Sequence, residues 1–170
     1  MTVRDVQRGR VYDAEQLVRT VFDRTDENRL RVVETHGSQL TLPVERRFAS
    51  LESVQTYVRK VLALNWVRAR WARAAAPVQV RARLGATSAH YELATATLAV
   101  PMHAGGTAWA LREFVVLHEL AHHLDPDPDR TAAHGPEYCE RYLDLVDGIV
   151  GAEAAFLLRA TMLDCGVKIG

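Results

Sequence analysis

Hydrophobic residues near the start of the chain follow a helical repeat and then change to the two-residue repeat of β-strands. A helix is predicted over residues 13–23, and its apolar side carries Leu17, Val18, Val21 and Phe22. Residues 30–35 and 39–42 alternate between apolar and polar, and the segment 36–38 between them is typical of a turn. The pattern therefore predicts one helix followed by a β-hairpin.

The middle of the chain changes from helical to strand-like spacing at Pro77. Ser50 is a candidate N-cap for a helix that begins at Leu51. The spacing leaves the end of this helix open, either near Leu64 or as far on as Ala74. Alternating apolar and polar positions then predict a strand over residues 78–84, and two further short strands are predicted over residues 89–93 and 97–100.

The last third of the chain has the pattern of three helices, over residues 107–124, 136–149 and 152–164. Thr107 is a candidate N-cap, and Gly166 a candidate C-terminal cap. The segment 125–130 contains two prolines, which exclude a helix there because proline lacks the N–H donor. This order of elements predicts an α+β fold in which a small antiparallel sheet packs against helices.

The chain has 170 residues, which is the length of one compact domain. We expect a single domain over residues 1–170, with a helix and hairpin extension over 1–49 and a core over 50–166. The first ten residues lack the apolar centre of a secretory signal, and no apolar run is long enough to span a membrane. We therefore expect a cytoplasmic protein with no membrane partner, in which Cys139 and Cys165 are structural thiols.

Charge is distributed unevenly, although the formal net charge is +0. Residues 1–85 hold 16 Lys and Arg against 9 Asp and Glu, and residues 86–170 hold 5 against 12. A loose basic cluster with Trp66 and Trp71 among its members is compatible with nucleic-acid contact; its basic residues are Arg59, Lys60, Arg68, Arg70 and Arg73. Such runs more commonly form a solvated helix face, and we favour that interpretation.

The strongest chemical signal is the segment His118-Glu119-Leu120-Ala121-His122. Histidines four residues apart lie one above the other on a helix, so both can ligate one Zn²⁺. Glu119 lies beside the first ligand and can act as the general base toward metal-activated water. The alternative is a surface helix with incidental histidines. The apolar neighbours argue against it, because they predict a buried helix in which unpaired polar side chains are costly.

A catalytic zinc has three protein ligands in most proteins, and His134 is our candidate for the third. It follows the proline-containing loop and directly precedes Gly135-Pro136, where the next helix is predicted to begin. Glu137, Glu140 and Asp125 stay open as competitors for this position. The alternative for Asp125 or Glu137 is to orient an imidazole through its other nitrogen. The sequence also supplies candidates for oxyanion stabilisation but does not rank them: Tyr138, Tyr142, His123 and Arg112.

The remaining histidines have weaker signals. His123 points about 100° away from His122 on a helix, so we expect it to be structural rather than a ligand of the same metal. His36 is expected to be exposed in its turn. His90 and His103 flank the short strands, and for His90-Tyr91 a strand position without a role is slightly favoured over contact with substrate.

The motif residues, followed by His134-Gly135 and the aromatic Tyr138, resemble the SprT-like branch of the zincin metalloproteases. The segments VRARLGATSAHYE, LREFVVLHELAHHL and HGPEY are more narrowly similar to a family of actinobacterial metallohydrolases with no established substrate. The resemblance covers residues 50–166. It implies a zincin-like fold, a Zn²⁺ cofactor on His118, His122 and His134, and catalysis by Glu119.

The resemblance also implies an edge strand, expected at residues 97–100, that pairs with an extended peptide substrate. The cysteines of a zinc ribbon are absent, and no third histidine follows His122 at the metzincin spacing. DNA-linked proteolysis is therefore not expected. The predicted function is zinc-dependent hydrolysis of a peptide bond in a peptide or protein substrate. Two alternatives stay open: a zinc-holding regulatory or nucleic-acid-associated module without catalysis, and a zinc hydrolase acting on a small non-peptide amide.

Overall fold

The computed structural model describes residues 3–102 and 111–170 of the chain. Its elements include helices and two small sheets, which confirms the predicted α+β class. The chain divides into two compact units, one formed by Met1–Glu45 with Pro128–Gly170 and the other by Arg46–Asp127. The organisation of residues 1–170 as one zincin-like domain stays a prediction.

The first unit consists of a hairpin and three helices. The helices are α1 (Arg8–Asn28), α5 (Pro136–Ile149) and α6 (Ala152–Asp164), and the strands are β1 (Val32–Thr35) and β2 (Ser38–Thr41). Helix α6 packs against both α1 and α5. The centre of this unit is apolar and includes Val11, Val18, Phe22, Tyr138, Tyr142, Leu145, Leu158 and Met162.

The hairpin of the first unit agrees with its predicted pattern. Strands β1 and β2 pair antiparallel, with Thr35 opposite Ser38. The two residues between them, His36 and Gly37, have φ values of 50° and 71°. Two consecutive positive φ angles give the turn whose twist matches that of a two-stranded ribbon, which is why glycine suits this position.

Helix α1 is longer than predicted, and its buried face continues on both sides of residues 13–23. Val11 and Thr25 extend the buried face beyond the predicted ends. Leu17, which was predicted to face the core, is 53% exposed and that prediction was wrong. The buried face of the helix is centred on Ala14, Val18 and Phe22, and Leu17 lies outside it.

The second unit combines a three-stranded sheet with helices. Its helices are α2 (Leu51–Ala63), α3 (Asn65–Arg70) and α4 (Glu113–His123), and its strands are β3 (Gln79–Arg83), β4 (His90–Glu92) and β5 (Thr97–Pro101). Ser50 caps α2 as predicted, since its side chain accepts a hydrogen bond from the backbone N–H of Ser53. Leu64 has an extended backbone, and this ends α2 at the earlier of the two predicted limits.

The three-stranded sheet differs from the prediction in two respects. Its order is β3-β5-β4, and β3 pairs parallel with β5 while β4 pairs antiparallel. The sheet is therefore mixed rather than antiparallel. Strand β5, predicted to be an edge strand at residues 97–100, is the central strand, and every one of its residues is buried. The sequence pattern of each strand indicates which faces are buried but not which strands are its neighbours, so the order could not be derived from it.

Helix α4 begins later than predicted. The predicted N-cap, Thr107, lies outside the described residues. Arg112 has an extended backbone and forms an isolated antiparallel bridge with Arg47, and Phe48 N–H donates to the Leu111 carbonyl at 3.0 Å. This short pairing holds residues 111 and 112 out of the helix, which starts at Glu113.

Within residues 3–102 and 111–170, no helix combines the length and the apolar character needed to cross a membrane.

Candidate metal centre

Helix α4 carries two of the predicted metal ligands on a helix that is almost completely buried. All of its residues are buried except His122, which is half-buried. Most residues of α4 are apolar, which explains this burial. The burial confirms the prediction that the motif lies on a core helix. The two histidines and Glu119 are therefore polar side chains on a buried helix, where they need hydrogen-bond partners or a bound ligand.

His118 and His122 lie one turn apart on one side of α4, as their four-residue spacing predicts. Their Nε2 atoms lie 3.3 Å apart, and the ring centroids are separated by 5.1 Å. Two nitrogens that ligate one tetrahedral zinc at about 2.0–2.1 Å are about 3.3–3.4 Å from each other. The spacing of this pair therefore fits two ligands of a single ion.

His134 completes a group of three. The ligand atoms of His118, His122 and His134 all lie within 4.8 Å of one another. Among the His, Cys, Asp and Glu side chains of the described residues, these three are arranged so that they could hold one metal ion. The structure thus brings together the three predicted ligands, and imidazole nitrogens are common donors to zinc and other divalent transition metals.

The competitors for the third position have other environments. Glu140 accepts hydrogen bonds from Arg159 Nη2 at 3.1 and 3.3 Å, and Glu137 is exposed. Asp125 is buried, and its Oδ1 accepts the backbone N–H of Asp127 at 3.0 Å, which closes a local turn at the start of the loop. These three carboxylates are not part of the histidine group.

Glu119 is 5% exposed and follows His118 on α4. Its position next to the first ligand on a buried helix agrees with the arrangement expected of a general base. The catalytic role itself stays a prediction.

His123 is a structural residue, as predicted. Its side chain is fully buried, and Nε2 lies 3.0 Å from the Arg73 carbonyl and 3.1 Å from the Ala76 carbonyl. Carbonyl oxygens only accept, so Nε2 carries the proton and Nδ1 accepts from the Tyr91 hydroxyl at 2.8 Å. Burial, followed by the positive charge of Arg73, lowers the pKa of His123. The imidazole therefore stays neutral and connects α4 to the segment that follows α3.

The other oxyanion candidates are buried. Tyr138 and Tyr142 have no exposed surface, and Arg112 is 2% exposed. Burial raises the pKa of Tyr142 well above its usual value, and the charge of Glu15 adds to this shift. The ring of Tyr138 lies 4.9 Å from that of His134, centroid to centroid, so Tyr138 is a neighbour of the third candidate ligand.

Histidines outside the group have separate environments. His36 is exposed, and its Nε2 lies 2.5 Å from an oxygen of Asp164. His90 is exposed on β4, whereas its neighbour Tyr91 is buried against His123. His103 lies outside the described residues.

Some side chains of the basic cluster form hydrogen bonds to main-chain carbonyls of the fold. Arg73 Nε donates to the His123 carbonyl at 2.7 Å, and Arg68 Nε donates to the Leu62 carbonyl at 3.1 Å. Arg70 lies over the Trp71 ring at 5.5 Å. The other members, Arg59, Lys60, Arg68 and Arg70, are exposed on α2 and α3, which agrees with a solvated helix surface. Nucleic-acid contact stays an untested alternative.

Asp5 is the residue that sequence reasoning missed. Its Oδ2 lies 2.7 Å from Nδ1 of His134, although 129 positions separate the two residues. A carboxylate on the second nitrogen of an imidazole fixes the ring and favours metal ligation by the first nitrogen. An acidic residue in a polar segment carries no sequence signal for this contact, since only the fold brings it to His134.

A scan against protein-family models and searches of curated proteins and solved structures found no match for this chain.

Proposed function

We propose that the protein is a zinc-dependent hydrolase that holds its metal through His118, His122 and His134 and uses Glu119 as the general base. The observation that carries this proposal is the convergence of three imidazoles within 4.8 Å of one another. Three imidazole donors suit zinc and leave a fourth coordination position, which is the usual composition of a catalytic rather than a structural zinc site.

The residues around the ligands fit a bound cation. The two α4 imidazoles already have the separation of ligands to one ion. The Asp5 carboxylate adds negative charge behind His134. A zinc ion in this place would polarise a substrate carbonyl and make water a stronger acid.

Glu119 supplies the proton transfer that hydrolysis requires. A buried carboxylate beside the first ligand can accept a proton from the attacking water and deliver it to the leaving amine. General acid–base catalysis of this kind contributes about 10²–10⁴-fold to a rate. A zinc hydrolase of this composition therefore depends on Glu119 for turnover but not for metal binding.

A peptide bond is the substrate class we propose, and strand β4 supports it. This strand lies at the edge of the three-stranded sheet and packs against α4, which carries Glu119. An extended peptide can add to a sheet edge through main-chain hydrogen bonds. We therefore propose that β4, rather than residues 97–100, pairs with the peptide substrate, because β5 has a strand neighbour on both sides.

The test combines metal analysis with an activity assay on wild-type protein, Glu119→Gln and His134→Ala. Zinc content is measured after purification, and cleavage is followed on an unstructured protein such as casein and on a mixture of quenched fluorescent peptides. Glu119→Gln is expected to keep stoichiometric zinc and to lose activity by about 10²–10⁴-fold. His134→Ala is expected to lose both.

The matched control is Glu137→Gln, which removes an exposed carboxylate close to the third ligand in sequence. It is expected to keep both zinc and activity. Unchanged activity in Glu119→Gln would contradict the base assignment. A wild-type protein that binds zinc tightly and cleaves neither peptides nor small amides would favour a structural zinc.

A further inference from the structure

The third ligand lies on an irregular loop, and the segment before α1 determines its position. His134 precedes the N-terminal end of α5, and the residue is 5% exposed. Two residues of the segment before α1 reach it: Asp5 contacts the imidazole at 2.7 Å, and Gln7 Nε2 donates to the main-chain carbonyl at 2.9 Å. The side chain and the backbone of His134 are therefore fixed separately.

Both the nitrogen and the oxygen of the Gln7 side-chain amide form hydrogen bonds. Its Nε2 also donates to the Lys168 carbonyl at 3.0 Å, and its Oε1 accepts the Lys168 N–H at 3.0 Å. The side chain is buried, with 5% of the residue exposed. This pairing joins the segment before α1 to the segment after α6 and gives Asp5 a defined place beside the imidazole.

Two aromatic rings limit the rotation of the His134 imidazole. Tyr12 of α1 lies 5.3 Å from it and Tyr138 of α5 lies 4.9 Å from it, between ring centroids. Both rings are inclined to the imidazole, at 54° and 69°. The ring plane is thus set by packing, and the remaining variable is which nitrogen carries the proton.

The Asp5 carboxylate determines which nitrogen of the His134 imidazole carries the proton. A carboxylate accepts a hydrogen bond, so Nδ1 of His134 donates, and in the neutral imidazole Nε2 is then the nitrogen whose lone pair can bind a metal. The second oxygen, Oδ1, is buried with no hydrogen-bond partner among the described residues. The carboxylate is therefore directed at His134 and has no second partner in this part of the chain.

We infer that Asp5 is a positioning residue that selects the metal-binding form of His134 and raises the affinity of the site for zinc. This inference rests on the proposed metal site. Residues that orient a ligating imidazole in this way contribute about 10–100-fold to metal affinity.

The experiment measures the zinc dissociation constant by competition with a chromophoric chelator, together with the melting temperature of the metal-free protein. The variants are Asp5→Ala, Asp5→Asn and, as the matched control, Asp13→Asn, which removes an exposed carboxylate from α1. Asp5→Ala is expected to bind zinc about 10–100-fold more weakly. Asp5→Asn is expected to recover part of this loss, because its amide oxygen can accept the same hydrogen bond, and Asp13→Asn is expected to match wild type.

Two results would overturn the inference, and they differ from each other. If wild-type protein binds zinc and Asp5→Ala binds it equally tightly, Asp5 has no positioning role and the proposed function is unaffected. If wild-type protein does not bind zinc, the proposed function fails and this inference fails with it. A purely structural Asp5 would lower the melting temperature of the metal-free protein while leaving the dissociation constant unchanged.

Discussion

Nδ1 of His123 lies 2.8 Å from the hydroxyl of Tyr91. This hydrogen bond gives His123 a structural role, whereas its neighbour His122 is a candidate metal ligand. Consecutive residues on a helix point about 100° apart. One imidazole therefore joins the metal-binding group, and the next is enclosed by Tyr91 and two main-chain carbonyls. The helix α4 is thus held through His123, on a face of the helix about 100° away from His122.

Replacing Tyr91 by Phe is expected to destabilise the protein by about 1–3 kcal/mol, because Nδ1 of the buried His123 loses its donor. Denaturant unfolding measures this loss, and zinc content is expected to stay unchanged. His90→Ala, at an exposed position of the same strand, is the control and is expected to change stability by no more than about 0.5 kcal/mol. Equal stability of Tyr91→Phe and wild type would contradict the structural role of this bond.

Glu113 anchors the start of α4, and its removal is expected to be costly. The side chain is 1% exposed, and it accepts from Arg46 Nη1 at 2.6 Å, Arg46 N–H at 3.1 Å and Tyr57 OH at 2.7 Å. A single hydrogen bond to a charged group contributes about 1.5–3 kcal/mol, so Glu113→Ala is expected to lose at least that much. Thermal unfolding tests this, with the exposed first-turn acid of α2 as the control in Glu52→Ala. Equal melting temperatures for the two variants would contradict the prediction.

Stability is expected to fall at alkaline pH. Burial raises the pKa of the Cys139 thiol from 9.0 to about 12, and the charge of Glu15 adds to the shift. Above about pH 9 the unfolded chain releases a proton that the folded protein retains, so the free energy of unfolding decreases as pH rises toward 12. One such group lowers it by about 1.4 kcal/mol per pH unit at most.

The alkaline prediction is checked by denaturant unfolding between about pH 8 and about pH 10.5 in the presence of a chelator. Cys139→Ala is expected to be less stable near neutrality, because it leaves a cavity, and to lose stability less steeply as pH rises. The buried Tyr142, whose pKa is also raised, keeps part of the pH dependence in both proteins. Identical slopes for wild type and Cys139→Ala would contradict the shifted thiol.

Removing the metal is expected to lower the melting temperature of wild-type protein. A ligand at 100 times its dissociation constant stabilises the folded state by about 2.7 kcal/mol, and a chelator withdraws this contribution. His134→Ala is expected to respond weakly to zinc or chelator, whereas the control His90→Ala is expected to respond as wild type does. A wild-type response in His134→Ala would exclude His134 as a ligand.

Local sequence determined the parts of the fold that depend on neighbouring residues. The cap at Ser50, the turn that begins at His36, the break at residues 125–130 and the position of His118 and His122 on one side of a helix were each predicted correctly. These features follow from backbone geometry over a few positions, where residue type and spacing have a direct physical meaning.

The order of the strands could not be predicted in the same way. Strands β3 and β5 pair parallel across an intervening segment that contains β4, and β5 thereby becomes central. The apolar run Leu98-Ala99-Val100 is compatible with burial on both faces, but it does not identify the neighbouring strands. Packing against helices decides which strands pair, and that information is not local.

The candidate site shows the same division. The sequence by itself determined that two imidazoles and a carboxylate share one helix and that a third histidine follows a loop that cannot be helical. Only the tertiary structure decided that His134 joins the other two and that Asp5 lies behind His134. Helical spacing constrains residues a turn apart, whereas a contact across 129 positions depends on how the whole chain packs.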